Sequence, residues 1–486
     1  MKIIILGAGR VGQSVAESLV SEQNGITVID TNARALRDLE SRFDLRGVVG
    51  NGIDPQVLAE AGAKDTDLLI ACASMDETNL VCCKIAQAMF DIPTRIARVR
   101  SSSFAADDPV LGKDGFAVDR IICPEESVTN YISKLIEYPE AMQVRSFAGG
   151  RAALASVRAR AGAPAVGLPI AQVRERMPAL AMRIVAIYRR FMDEPDRFVR
   201  CDGNTRIEPG DEVFMLAATA HVPEALKAIN LPEGRSSRPV YRIMIAGGGQ
   251  LSLRLAKKLA QTQGRFHVKI IEHNAQHCLS LASALPAEVL VLEGDATDEN
   301  LLEEEGIEEV DLFLALTDDD EDNIMSSLLA KRMGARRVLS LINRRAYADL
   351  MHGTQIDIAL SPAQAMLGEF LAYVRRGDVQ AVHSLRRGVA EALEIVARGD
   401  RKSSRVVGRK VEELRLPEDV HIGLIVRGIP EGKTCEEVAG LPLATEVIIP
   451  RSNTVIESGD HVVFFLPNKR LVRNVENLFR VSATFF

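Results

Sequence analysis

The chain is 486 residues long, 47% apolar and 26% charged, with a formal net charge of −7. That length exceeds one ordinary domain, and an acidic field repels phosphate backbones, so the composition argues against a nucleic-acid binder. No apolar run reaches the roughly 18 residues of a bilayer-spanning helix, and the seven irregularly spaced cysteines form no disulfide framework and suit a reducing cytosol.

From the N-terminus, the pattern predicts strand 2–6, helix 11–22, strand 26–30, helix 33–41 and strand 46–49. Helix 54–61, strand 67–72, helix 77–89 and strand 94–99 follow. Near-continuous apolar strands alternating with helices are the pattern of a parallel sheet covered on both faces. Between the first strand and helix lies Gly7-Ala8-Gly9-Arg10-Val11-Gly12, the context a GxGxxG motif needs to carry meaning. Its glycines permit a tight turn, close approach of backbone to a pyrophosphate, and close helix–strand packing. The helix N-terminus offers free N–H groups and partial positive charge to phosphates. Asp30 closes the second strand, where a carboxylate accepts from ribose hydroxyls and repels a 2′-phosphate.

This half ends at Ile121-Ile122-Cys123-Pro124, and an apolar helical stretch from Val128 to Ile136 follows. A smaller module with short strands, such as Glu212–Leu216 after the Gly210-Asp211 turn, leads into a linker-like stretch from Leu231 to Pro239. The chain then repeats itself. Ile5-Leu6-Gly7-Ala8-Gly9 matches Ile245-Ala246-Gly247-Gly248-Gly249, and Asp30 matches Glu272. Gly50 to Asn79 aligns without a gap on Gly294 to Asn323. Asn204 to Asp211 matches Asn453 to Asp460 further on. A composite unit of about 240 residues is therefore duplicated. The second copy ends at Ser361-Pro362, followed by an apolar helix from Ala365 to Val374, short strands such as His461–Leu466, and helical Lys469–Phe479.

The expected architecture is α/β: two tandem Rossmann-like parallel-sheet domains, 1–123 and 240–360, each followed by a small α+β module, 140–228 and 377–486. The second fingerprint, Gly247-Gly248-Gly249-Gln250-Leu251-Ser252, has serine where the third glycine belongs, so it is less complete. The run from Thr317 to Asn323 is acidic and opens a helix, where carboxylates cap free N–H groups. His273, His277 and Cys278 put ligand types on one turn without a further partner, so no metal site is assigned. No catalytic constellation is evident. The residues leave three readings: a nucleotide-binding regulator, an NAD-dependent oxidoreductase, and an adapter with vestigial sites.

The opening Met1 to Gly12, the string Gly294-Asp295-Ala296-Thr297, the acidic run to Asn323 and the paired Gly-Asp turns together resemble the TrkA family. These are cytosolic regulatory subunits of bacterial Trk potassium-uptake systems, built from two RCK (KTN) units. The resemblance covers essentially the whole chain. It implies non-enzymatic binding of NAD(H), and of ATP or ADP, by phosphate loops at Gly7 to Val11 and Gly247 to Leu251. It places ribose acids at Asp30 and Glu272. Further contacts fall on Asn51, Ala73, Ser74 and Arg98, and in the second copy on Asp295, Thr317 and Asp318; the aligned counterpart of Arg98 is Ser340. It also implies a homo-oligomeric ring, a tetramer, on the cytoplasmic face of a membrane-embedded potassium transporter subunit that it gates.

Overall fold

The computed structural model describes residues 1–486 apart from 21–23, 102–103, 105–107, 192–195, 200, 263, 352–354, 376–377, 387–388, 431–443 and 482–486. The last two positions of the expected helix 11–22, and residues 377 and 486 that bound the last expected module, lie outside the described residues. The chain forms two compact units, each assembled from both halves of the sequence: Met1–Asn130 with Tyr241–Val374, and Tyr131–Val240 with Arg375–Phe486.

The first unit holds both parallel sheets. In the first copy the elements are β1 (Lys2–Leu6), α1 (Arg10–Val20), β2 (Gly25–Asp30), α2 (Ala33–Arg42), β3 (Arg46–Val49) and α3 (Pro55–Glu60). They continue with β4 (Leu68–Ala71), α4 (Asp76–Phe90), β5 (Thr94–Arg98), β6 (Arg120–Ile122) and the crossover helix α5 (Pro124–Glu137). Every residue of β4 and all of β1 after Lys2 is buried, as central strands covered on both faces require. The strand order β3-β2-β1-β4-β5-β6 reverses direction between β1 and β4, so the crevice opens at their carboxyl ends.

The module that follows comprises β7 (Ala141–Phe147), β8 (Ala152–Arg158), α6 (Ile170–Arg176), β9 (Met182–Arg189), β10 (Arg197–Val199), β11 (Glu212–Ala218) and α7 (Val222–Asn230). The second copy repeats the first as β12 (Arg242–Ala246), α8 (Gln250–Ala260), β13 (His267–Glu272), α9 (Ala275–Ala284), β14 (Val289–Glu293) and α10 (Glu299–Glu304). It proceeds through β15 (Leu312–Ala315), α11 (Asp320–Arg332), β16 (Val338–Leu341), α12 (Arg345–Leu350), β17 (Ile358–Leu360) and α13 (Pro362–Val374). Its sheet order, β14-β13-β12-β15-β16-β17, is the same. The two copies are bonded to each other. Ser127 Oγ donates to Glu369 Oε1 at 2.5 Å, Lys258 Nζ to Asn130 Oδ1 at 2.6 Å, and Arg254 Nη2 to the Arg100 carbonyl at 2.7 Å. Helix α1 packs on α13.

The second unit holds the two small modules; the last contains β18 (Val379–Leu385), β19 (Ala390–Val396), β20 (His421–Arg427), β21 (Glu446–Ile448), β22 (His461–Leu466) and α14 (Val472–Phe479). Its antiparallel order, β18-β19-β22-β20-β21, corresponds to β7-β8-β11-β9-β10 of the earlier module. The Gly-Asp turns prove to be anchors. Asp211 accepts from Arg189 Nε and Nη2, both at 2.9 Å, and Asp460 accepts from Arg427 Nε and Nη2, both at 2.8 Å. Buried bidentate pairs of this kind fix geometry as well as charge. Phe147, Phe214, Leu216, Leu424 and Phe465 join the two modules in one core. Gly423 sits at that seam, and a Cβ there meets Leu216 Cδ1 at 2.0 Å. Because Leu216 is itself fully buried, it has nowhere to swing. Gly423→Val is therefore expected to cost roughly 1–3 kcal/mol of overpacking and to lower the midpoint of a calorimetric melt. An unchanged midpoint contradicts this packing. Among the described residues, no helix is long and apolar enough to cross a membrane.

Candidate functional site

At the switch point, Gly7 takes φ +105° and its N–H bonds the Ile29 carbonyl at 2.8 Å, turning the chain sharply off β1. A Cβ on Gly7 meets the Cys72 and Ala73 backbone at 3.0 Å, so glycine is needed for both conformation and space. A Cβ on Gly12 comes within 1.8 Å of the Gly7 carbonyl oxygen, so helix and loop touch there. Gly9 differs: nothing lies within 4 Å of its Cβ direction. The first helical bond of α1 is from Gln13 N to Gly9 O, which leaves the N–H groups of Arg10, Val11 and Gly12 without helical acceptors. Open space bordered by these amides at the positive end of a helix fits a pyrophosphate.

Asp30 Oδ2 accepts from Ala8 N at 2.6 Å and Oδ1 from Asn32 N at 2.7 Å. The half-buried carboxylate thus ties the end of β2 to the loop. Cys72 lies beneath, and burial pushes its thiol up to about 12, so it acts as a neutral packing group. Asn79 is fully buried: its Oδ1 accepts from Ala73 N at 2.8 Å, and its Nδ2 donates to Ala73 O at 3.1 Å and Arg98 O at 2.9 Å. This side chain staples the loop after β4 to the end of β5. Arg98 Nη1 donates to Ala73 O at 3.3 Å, while its Nε is buried without a hydrogen-bond partner among the described residues. Desolvation, and then the neighbouring Arg100, depress the Arg98 pKa. A guanidinium held this way is poised for an anion.

One cleft of about 930 Å³ gathers most of the expected residues. Gly7, Gly9, Arg10, Val11, Asp30, Asn51, Ala73, Ser74 and Arg98 line it, while Ala8 and Gly12 lie beneath the loop. From the second copy it takes Gly249, Gln250, Leu251 and Asp318. The first residues of α5 and of α13, Pro124 and Pro362, complete the wall. The two phosphate loops of one chain thus face a shared space.

Gly247, Gly248, Glu272, Asp295 and Thr317 stand around the second loop but outside that lining. Gly247 takes φ +95°, and Glu272 accepts from Gly248 N at 2.7 Å and Asn274 N at 2.8 Å, as Asp30 does in the first copy. Glu272, however, is only 6% exposed. Asp295 accepts from Thr297 N at 2.8 Å, and that bond holds its carboxyl below the usual carboxylate range. Asn323 repeats the staple, bonding Thr317 N and O and the Leu341 carbonyl. Ser252 is buried, and its Oγ has no hydrogen-bond partner among the described residues.

One sequence expectation is corrected and a second holds in part. The counterpart of Arg98 is Leu341, not Ser340: Ala71 pairs with Ala97 where Ala315 pairs with Ser340, and the asparagine staples end on Arg98 and Leu341. The apolar run of β16 carries no charge to fix the alignment, so the sequence slips by one residue. In the acidic run, Asp319 caps α11 by accepting from Asp322 N at 3.0 Å, but Asp320 instead accepts from Asn343 N and Arg344 N. Asp76 does the same for Arg100 N and Ser101 N, so Asp320 is a shared brace between loops. The staples were missed as site elements, although the identity of Asn79 with Asn323 across the repeat was their signal.

A TrkA-N domain model matches residues 3–124 and 243–362, and a TrkA-C domain model matches 154–230 and 401–479. Over 486 residues, covering all of both chains, this chain is 46% identical to the Trk system potassium uptake protein TrkA of Halomonas elongata and 47% identical to that of Vibrio alginolyticus. The crystal structure of the GsuK RCK domain shares the fold, with a TM-score of 0.56 at 17% identity over 98% of this chain and 94% of that one. A structure of the GsuK channel bound to NAD gives a TM-score of 0.55 at 17% identity, covering 98% of this chain and 78% of that one. With family models matched twice in the order N, C, N, C and full-length relatives at this identity, the chain belongs to the TrkA family of Trk-system potassium uptake proteins.

Proposed function

We propose that the chain is a nucleotide-sensing regulatory subunit that gates potassium uptake through a membrane-embedded Trk-type partner. The observation that carries this is the shared cleft, where both phosphate loops and the first residues of both crossover helices α5 and α13 meet. A nucleotide bound there touches the pieces whose relative placement a conformational change must alter. NAD(H), ATP and ADP all present the adenosine and pyrophosphate that such a site takes. The amides of Arg10 to Gly12 would hold the pyrophosphate, Asp30 the ribose, and Arg98 further negative charge. In the second copy, Gln250 and Leu251 with Glu272 take the corresponding roles, beside Asp295, Thr317 and Asp318. We assign the four-module partition (1–123, 140–228, 240–360 and 377–486) to this division between sensing and assembly. The assembly is a homotetrameric ring at the cytoplasmic face of the membrane.

Linkage limits the mechanism: nucleotide shifts gating only as far as it prefers one ring conformation. A full swing needs about 5.5 kcal/mol of differential binding, which several sites in a ring can share. Regulation rather than turnover is favoured because the full-length relatives are potassium uptake proteins of Trk systems. Titration calorimetry with NADH, ATP and ADP tests the reading. Wild type is expected to bind without turnover, and Asp30→Ala to weaken binding at the first copy by about tenfold, the loss of charge-assisted ribose bonds. Glu272→Ala reads out the second copy in the same way. Absence of binding ends the sensor reading, and steady NADH oxidation replaces it with an oxidoreductase.

A further inference from the structure

The seam between the two small modules is made of parts that are not interchangeable. Their strands correspond residue by residue. Phe147 and Leu385 end β7 and β18 opposite Ala152 and Ala390, and Glu212 and His461 start β11 and β22. Val185 and Gly423 are the unpaired residues of matching bulges in β9 and β20, and Ala148 and Arg386, both with positive φ, follow β7 and β18. At the seam, Leu216 of the first module fills the space over Gly423 of the second. A Cβ on Gly423 lies 2.0 Å from Leu216 Cδ1 and 3.3 Å from Val185 Cγ1. Arg386 crosses from the second module, sets its guanidinium 4.0 Å from the centre of the Tyr188 ring and pairs with Glu212. Glu212 is buried and also accepts from Ser156 Oγ at 2.7 Å. In the opposite direction, Ala148 N donates to Glu394 Oε2 at 2.9 Å, and Glu394 Oε1 bonds His461 Nδ1 at 2.6 Å.

A two-fold pair of identical modules repeats every contact, so exchanging either module for a copy of the other breaks these. Two first modules set Val185, with its Cβ and methyl groups, where Gly423 leaves room for Leu216. They also set Ala148 where Arg386 neutralises Glu212, and a buried carboxylate stripped of its cation is strongly destabilising. Two second modules turn Arg386 towards His461 and Val426, the counterparts of Glu212 and Tyr188. We propose that the seam is a selective lock between unlike modules. The first module's face, around Leu216, Glu212 and Tyr188, accepts the second module's face, around Gly423 and Arg386, and rejects a copy of itself. Clash and stranded charge against the wrong partner supply the discrimination. Wherever several chains come together, their small modules pair only unlike with unlike, so the seams of the assembly do not scramble.

The test uses the full-length chain. Leu216→Ala added to Gly423→Val is expected to raise the melting midpoint above that of Gly423→Val alone, a non-additivity that marks residues in contact. Additive losses overturn the lock. Selectivity is read by Val185→Cys, at a position buried in the seam. In an otherwise wild-type chain the new thiol is expected to resist a maleimide. Adding Gly423→Val and Arg386→Glu spoils the second module's face. The thiol is then expected to react with the maleimide and, under oxidant, to form no disulfide between chains, both read at position 185 by peptide mass spectrometry. A disulfide joining position 185 of two chains shows like pairing with like and overturns the proposal. Full protection overturns it too, because a spoiled face then still pairs. Leu216→Ala with Glu212→Arg, placed in the spoiled chain, is expected to restore protection, which a misfolded chain does not regain; failure to restore it counts against the lock.

Discussion

Gly9→Val is expected to abolish nucleotide binding at the first copy and leave the protein folded. The backbone at Gly9 lies outside the left-handed region, and its Cβ direction is empty for 4 Å, so the apo protein accommodates the side chain without strain. The space it fills is the space a pyrophosphate needs to reach the amides of Arg10 to Gly12. Losing two charge-assisted bonds, at about 1.5–3 kcal/mol each, amounts to roughly a hundredfold or more in affinity. Gly12→Val is the contrasting control. Its Cβ falls 1.8 Å from the Gly7 carbonyl oxygen, so it must push α1 off the loop and lower stability as well. Calorimetric titration paired with a thermal melt separates the two. Equal melting points with lost binding are expected for Gly9→Val, and retained binding contradicts the placement of the phosphate.

The second large effect belongs to Asn79. Replacing it with leucine removes an acceptor for Ala73 N and donors for the Ala73 and Arg98 carbonyls, and leaves those groups without that partner. Each stranded buried group costs about 1–3 kcal/mol, so a total of roughly 3–5 kcal/mol is expected after partial relaxation. Asn79→Asp is gentler on volume but still loses both donated bonds. Because Ala73 and Arg98 border the cleft, nucleotide affinity at the first copy is expected to fall with stability. Asn323→Leu repeats the stability loss through Thr317 and Leu341. Denaturant melts and amide hydrogen exchange at Ala73, whose N–H donates to Asn79, check this, and wild-type protection there in Asn79→Leu contradicts it.

Much of the parallel-sheet architecture was legible because its signals are local. Strand–helix alternation, the glycine spacing before α1 and the carboxylate closing β2 all lie within single windows of sequence. Duplication repeated each signal, and the Gly-Asp turns marked the small modules before their arginine partners were visible. What stayed hidden depends on contacts distant in sequence. Nothing in either fingerprint shows that Gln250 and Leu251 border the same cleft as Gly9 and Arg10, because that follows from packing between copies. One residue of slippage in β16 set Ser340 rather than Leu341 against Arg98, although the loss of the arginine charge is legible in either register. The strands β7, β8 and β9 of the first small module also escaped, since small residues such as those of Ala152–Arg158 carry weak alternation and are buried chiefly by partner strands.

Nucleotide binding and transport are tested together in one measurement. Potassium flux is followed in vesicles carrying the membrane subunit, with wild-type chain or Gly9→Val added, and with NADH, ATP or ADP varied on the side where the chain binds. Flux with wild type is expected to change with nucleotide, and the part of that response due to the first copy is expected to vanish in Gly9→Val. Flux that depends on adding the chain but is identical across all nucleotides, or an unaltered response in a variant shown not to bind, would contradict the account.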